Sequence, residues 1–198
     1  MSWWEYEKAV AADGWSILCG VDEAGRGSLA GPVCAAAVIL PPGVVLEGLN
    51  DSKKLTAARR EKLFDIITEK SVSYAIAFAS EQEIDELNIL NATYLAMNRA
   101  IKKLEPAPEI ALIDGNRAKG IQCLNRCIVG GDGKSASIAA ASILAKVSRD
   151  RFMLELSERY PEYGFHTHKG YGTANHYSML RKYGPSPVHR KTFLKKMH

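Results

Sequence analysis

The sequence predicts a mixed α/β fold, with helices laid on the faces of one sheet, on three observations. Short apolar runs alternate with amphipathic stretches along the chain. The first two runs are joined by a short glycine-rich link, which suggests an antiparallel hairpin. A stretch very poor in charge, SIAAASILA, lies in the second half and reads as a helix buried against the sheet.

Taken in order, residues 17–21 form a short buried strand ending at Asp22. Residues 33–40 form a second strand, closed by Pro41, Pro42 and Gly43. Residues 56–70 are helical: Thr56 can cap, and Leu63, Ile66 and Ile67 share a face. Residues 72–79 alternate like a third strand. Residues 81–104 are helical in two pieces, broken near Leu87 and Asn88 and stopped by Pro106 and Pro108. Residues 110–113 make a fourth strand ending at Asp114, and residues 122–129 a fifth. Helices follow over 137–160 and 173–183. No repeat, linker or low-complexity tract interrupts this pattern, so one domain over 1–198 is expected, with about 1–16 as a lead-in.

Composition sets the bounds. Apolar residues are 46% and charged residues 24%, ordinary for a globular domain. No apolar run approaches the roughly 20 residues needed to cross a bilayer. The first residues carry Glu5, Glu7 and Asp13 and no signal-peptide core. The four cysteines, at 19, 34, 123 and 127, lack zinc-site spacing and read as reduced thiols. A cytoplasmic protein without a membrane partner is expected. The net charge of +4 permits nucleic-acid binding without demonstrating it.

The chemistry lies in the acids at strand ends. Asp22 and Glu23 close the first strand, Asp114 closes the fourth, and Asp132 follows the fifth within Gly130-Gly131-Asp132-Gly133. Single acids there can be turn residues or helix caps. Four acids converging would repel one another, and a divalent cation resolves that conflict. Oxygen-only ligation suits Mg²⁺ or Mn²⁺. One geometric difficulty is visible. Neighbours in a regular strand point to opposite faces, so Asp22 and Glu23 serve one site only if the strand bends or Glu23 also uses its carbonyl. The stretch Gly25-Arg26-Gly27-Ser28-Leu29-Ala30 also fits a dinucleotide-binding pattern. A strand follows where that pattern needs a helix, so close backbone approach to a sugar-phosphate chain is the better use of the glycines.

The segments GVDEAGRGSLAGP, LNDSKKL, EIDELNIL, LIDGNR, SIAAASILAKVSRD and YGFHTHKGYGT, in this order, resemble the ribonuclease HII family from about Cys19 to Phe193. The related HIII family usually has lysine at the position of Arg26 and an extra N-terminal domain. The resemblance implies an RNase H-like fold, a five-stranded mixed sheet flanked by helices, with a small helical C-terminal segment over about 161–198. It implies that Asp22, Glu23, Asp114 and Asp132 are the catalytic, metal-binding acids; Asp132 follows Asp114 by 18 residues, as the pattern leads one to expect. It implies that Gly25, Arg26, Gly27 and Tyr171 sense the ribose 2′-hydroxyl at a DNA–RNA junction, the one group that tells RNA from DNA at a nucleotide. The family's usual lysine two positions before the last acid is Gly130 here.

Lys53 and Lys54 precede a helix and can hold a phosphate, or form a solvated pair. Ser142 and Lys146, one turn apart, can touch phosphate, or Lys146 can be a surface charge. His166 and His168 shape a loop or touch nucleic acid rather than bind zinc. The cluster His189, Arg190, Lys191, Lys195 and Lys196 either extends a basic surface or is a solvated tail. The expected partners are RNA–DNA hybrid and ribonucleotide-containing duplex DNA, acted on by a monomer. Two divalent ions would activate a water and stabilise the leaving 3′ oxygen, and the resemblance implies products with 5′-phosphate and 3′-hydroxyl ends. A non-catalytic hybrid-binding module would lack the acids, and a small-molecule phosphatase would not need the glycine loop, Tyr171 or the spread lysines.

Overall fold

A computed structural model describes residues 3–195. A first helix, α1 (Glu5–Ala12), occupies the stretch read as a lead-in. Its anchor is Glu7, buried, whose Oε1 accepts from the Ser135 hydroxyl at 2.6 Å and the Ser137 amide at 3.0 Å. These groups open a later helix, where a carboxylate is favoured by the free amides. That partner lies far along the chain, which is why local pattern did not reveal the helix.

The sheet begins with β1 (Leu18–Ala24) and β2 (Val33–Ile39), antiparallel as expected. Helix α2 (Ala57–Lys70) starts at the expected cap, with Thr56 Oγ1 accepting from the Arg59 amide at 3.3 Å. Strand β3 (Ser73–Ala79) pairs antiparallel with β2. The predicted break near Asn88 separates α3 (Glu81–Leu87) from α4 (Ile89–Lys102). Asn88 has φ of 68°, and its side chain accepts from the Leu90 and Asn91 amides. Strands β4 (Ile110–Asp114) and β5 (Asn125–Ile128) join in parallel, giving the order β3-β2-β1-β4-β5. Then follow α5 (Ala136–Arg159), α6 (Phe165–His168), α7 (Ala174–Tyr183) and α8 (Lys191–Leu194).

Period-two alternation divides the sheet residues between two cores. Val21, Ala35 and Ile113 pack against α4 residues such as Ala96 and Met97. Ala36 and Val38 pack against Ala140 and Leu144 of α5. Close seating of α5 requires Gly20, because a Cβ there would stand 2.1 Å from the Ser137 carbonyl carbon. The obstacle is backbone, which cannot rotate aside. Gly20→Ala is therefore expected to cost about 2–3 kcal/mol in denaturant melts. An unchanged midpoint would contradict this packing.

Two strands differ from expectation by more than one residue. β1 runs on to Ala24, so its acids sit inside the ladder: Asp22 pairs with Ala36 and Glu23 with Ala35. β5 is shorter than residues 122–129, beginning only at Asn125. Among the described residues, no helix is long and apolar enough to cross a membrane.

Candidate active site

β1 and β4 are parallel neighbours, so their carboxyl ends bring Asp22 and Asp114 together. Gly131 donates its amide to Asp114 Oδ1 at 2.7 Å, which ties the loop after β5 to the same edge and delivers Asp132. One carboxylate oxygen from each of Asp22, Asp114 and Asp132 lies within 4.8 Å of the others.

Glu23 is not in that group. The strand does not bend, and its ladder continues to Ala24 opposite Cys34. Asp22 therefore faces α5, while Glu23 faces α4 and lines a cavity of about 260 Å³ with Thr93, Tyr94, Asp114 and Arg117. Asp114, at the strand end, senses both acids electrostatically. The predicted conflict between neighbours is thus met by placing Asp114 between the two faces.

Burial dominates the electrostatics. Asp22 is only 4% exposed, and burial, then Glu23 and Asp114, push its carboxyl well above the usual range. The Ser142 hydroxyl and Glu23 amide oppose this. Burial also raises Glu23, against the pull of Arg26, whose Nη1 lies 3.2 Å from Glu23 Oε1. Asp114 is raised by burial despite the Gly131 amide, with Asp132 adding to the rise. Clustered, desolvated carboxylates are costly without a cation. Their donor atoms are hard oxygens, matching a hard divalent ion.

The predicted phosphate contacts divide. Lys53 Nζ reaches Asp132 Oδ2 at 2.9 Å, and that bond is the main reason its ammonium is held more firmly protonated. Lys54 points away, 4.0 Å from Asp51 Oδ2. Ser142 is buried, its hydroxyl 2.8 Å from that of Ser52, so it supports the acids from behind. Lys146 bonds Asp150 Oδ1 at 2.7 Å and stands 5.9 Å from the Tyr171 ring centre. Tyr171 is 37% exposed, and its ring also lies beside Arg149, 5.5 Å from the guanidinium carbon. It is not sunk beneath the C-terminal helices.

The glycine loop and Tyr171 are one assembly. Ser28 and Tyr171 form an antiparallel bridge, and the Leu29 amide donates to Gly170 O at 2.8 Å. Beneath the loop lies Arg149, 1% exposed. It donates to the carbonyls of Ala30, Pro32 and Lys169. A Cβ at Gly25, whose φ is +93°, would stand 1.8 Å from Arg149 Nε, so that position demands glycine twice over. Sequence reading missed Arg149. Its signal is an arginine two turns beyond Ser142 on an otherwise buried helix face.

The C-terminal cluster is corrected. His189 and Arg190 are buried, not part of a basic surface or a solvated tail. The amide of Lys191 caps onto Asp85 at 2.9 Å, and Lys195 is exposed. Lys196 lies outside the described residues. His168 is buried and bonds Tyr163 O at 2.9 Å, and His166 Nδ1 meets the Ser157 hydroxyl at 3.0 Å, both shaping the loop as expected.

A mixed sheet of this order, with acids gathered at the carboxyl edge of its central parallel strands, defines an RNase H-like hydrolase. Comparison with known proteins agrees. The family model described as Ribonuclease HII matches residues 19–198. A ribonuclease HII from Acetivibrio thermocellus is 54% identical over 96% of this chain and 74% of its own length. One from Caldicellulosiruptor saccharolyticus is 51% identical over 98% of this chain and 95% of its own. The crystal structure of ribonuclease H2 from Pyrococcus horikoshii superposes with a TM-score of 0.74 at 28% identity, covering 89% of this chain and 93% of that one. The chain belongs to the ribonuclease HII family, divalent-metal-dependent endoribonucleases that cut the RNA of RNA–DNA hybrids.

Proposed function

We propose that this enzyme cuts RNA–DNA hybrids and also duplex DNA carrying a single ribonucleotide, at the DNA–RNA junction, leaving 5′-phosphate and 3′-hydroxyl ends. The observation that carries the reading is the continuity of loop and acids. β1 leads directly from Asp22 and Glu23 into Gly25-Arg26-Gly27, Arg26 is paired with Glu23, and Ser28 is bridged to Tyr171. A group that recognises a ribose there is thereby set in register with the acids.

Asp22, Asp114 and Asp132, with Glu23 on the opposite face, would hold two Mg²⁺ or Mn²⁺ ions. Such ions supply a nucleophilic water and stabilise charge on the leaving oxygen. The residues themselves do the rest. Burial keeps the carboxylates fixed and water-poor. Lys53, with a side chain 77% exposed, neutralises Asp132 and can turn to a phosphate oxygen. Tyr171 offers an exposed ring to the nucleotide beside the cut. Lys54 and Lys146 serve as outer phosphate contacts, and Ser142 braces Asp22. The whole of residues 1–198 acts as one catalytic domain, a monomer working in the cytoplasm.

The test is cleavage of a DNA duplex with one ribonucleotide, comparing metals. Activity should vanish with chelator and return with Mg²⁺ or Mn²⁺. Ca²⁺ should support binding but little chemistry, because its looser and longer coordination positions water poorly. Cleavage of the long hybrid but not of the single-ribonucleotide duplex would overturn the junction reading. Full activity in chelator would overturn the metal assignment.

A further inference from the structure

The glycine loop and Tyr171 come from distant parts of the chain, and both are held by the same short segment, residues 186–190. Arg190 grips the loop. Its guanidinium, 0% exposed, donates to Gly31 O at 2.9 Å, Arg26 O at 2.9 Å and Gly25 O at 2.7 Å. Its amide donates to Leu29 O, and the Gly31 amide donates to Val188 O, each at 2.9 Å. A trans peptide sets each N–H opposite the preceding carbonyl. With the Gly25 and Arg26 carbonyls turned inward to Arg190, the Arg26 and Gly27 amides are turned outward. That side is open, since a Cβ at Gly27 would meet nothing within 4 Å.

His189 grips Tyr171 through a relay of fixed direction. The Ser186 amide donates to His189 Nδ1 at 3.0 Å, so that nitrogen is an acceptor. In neutral His189 the proton is then on Nε2, which lies 3.0 Å from His176 Nε2 and donates to it. His176 must carry its own proton on Nδ1, which donates to Tyr171 O at 3.0 Å. Burial favours the neutral forms: it lowers His176 and pushes His189 down to about 4. His168 stacks on His176 at 4.4 Å and accepts the Gly170 amide at Nδ1, fixing the residue before Tyr171.

We propose that His189 and Arg190 are the positioning residues that set selectivity for a lone ribonucleotide, Arg190 by turning the loop amides outward and His189, through His176, by holding Tyr171. This rests on the junction reading given above. Neither residue belongs to the machinery that gathers the acids, which depends on β1, β4 and the Gly131 amide. The C-terminal segment instead packs in its own cluster around Tyr163, Phe165 and Leu180. Loosening it should displace the reader more than the acids.

The experiment compares kcat/KM on a single-ribonucleotide duplex with that on a long hybrid, with melting curves alongside. His189→Phe keeps a ring of similar volume and removes the relay; it is expected to lower the ratio about tenfold or more, mainly through kcat. His189→Gln, which can place a donor near the Nε2 position, should restore most of it. In the Tyr171→Ala background, His189→Phe should lower the ratio no further, because it acts through Tyr171. Arg190→Lys keeps the charge but cannot serve three carbonyls, and it decides the matter if His189→Phe fails to fold. Equal losses on both substrates in His189→Phe and Arg190→Lys, while Tyr171→Ala changes the ratio, would overturn the positioning role. No change of ratio in Tyr171→Ala would instead leave sensing to the loop and overturn the His189 half of the proposal, and absence of single-ribonucleotide cleavage by the parent enzyme would remove the junction reading beneath both.

Discussion

Asp22→Asn is expected to abolish cleavage while making the metal-free protein more stable. Both effects have one cause. The Asp22 carboxylate is buried beside Glu23 and Asp114, and all three carboxyls are pushed above their ordinary range, chiefly by burial. An amide of the same shape keeps the oxygen that accepts from the Glu23 amide at 2.7 Å, and it removes the buried charge. The expected gain without metal is about 1–2 kcal/mol, or roughly 3–6 °C in Tm for a chain of this size. Its pH dependence has a definite sign. A carboxyl whose folded pKa is raised binds more protons in the folded state, so its contribution is lost as pH rises through the folded value. The advantage of the variant should therefore be absent at acid pH, below the unfolded value of about 4, and grow toward neutrality. Mg²⁺ or Mn²⁺ should reverse the order by stabilising the parent more. Turnover should fall by about 10³-fold or more, because a displaced cation removes several kcal/mol of charge stabilisation. Hybrid binding should survive, since the phosphate contacts remain, and Asp114→Asn should behave alike. Near-parental turnover by either variant would sink the site assignment.

Tyr171→Ala should lower cleavage at a single ribonucleotide far more than at a long RNA stretch. The ring is exposed, its backbone is bridged to Ser28, and Arg149 and Lys146 stand 5.5 and 5.9 Å from its centre. A residue so placed contributes little packing, so Tm should hardly move. Loss of the ring lets the nucleotide beside the cut shift, and a misplacement of about 1 Å can cost roughly 100-fold in rate. On a long hybrid, many backbone contacts share the task of positioning. The expected signature is a fall in kcat on the single-ribonucleotide duplex with KM little changed. Parallel loss on both substrates with a lowered Tm would make Tyr171 a packing residue and leave sensing to Gly25, Arg26 and Gly27.

Much of the site was legible because its signals are local. A carboxylate directly after an apolar run, as at Asp22 and Asp114, is visible without any tertiary contact. Thr56 and Asn88 announced a helix start and a helix break through side-chain chemistry confined to three residues. The buried nature of α5 followed from its composition alone. By contrast, α1 depends on Glu7 meeting Ser135 and Ser137 across more than half the chain. The C-terminal basic residues misled for the same reason. A run rich in His, Arg and Lys reads as solvated because burying charge is costly, and only six well-placed backbone carbonyls under the loop make Arg149 and Arg190 acceptable inside.

The sequence by itself determined the type and succession along the chain of the strands and main helices, the acids at strand ends and the family, and the structure decided the order of the strands in the sheet. Hydrophobic period, caps and motif spacing are properties of neighbours along the chain. Tertiary structure alone decided that β1 does not bend, so that Asp22 joins Asp114 and Asp132 while Glu23 faces α4. It alone turned Lys53 to Asp132 and Lys54 away. It alone joined residues 25–32, 168–171 and 186–190 into one hydrogen-bonded unit. Those outcomes rest on which carbonyl meets which donor across distant segments, and only the closing of the chain on itself brings such partners within 3 Å.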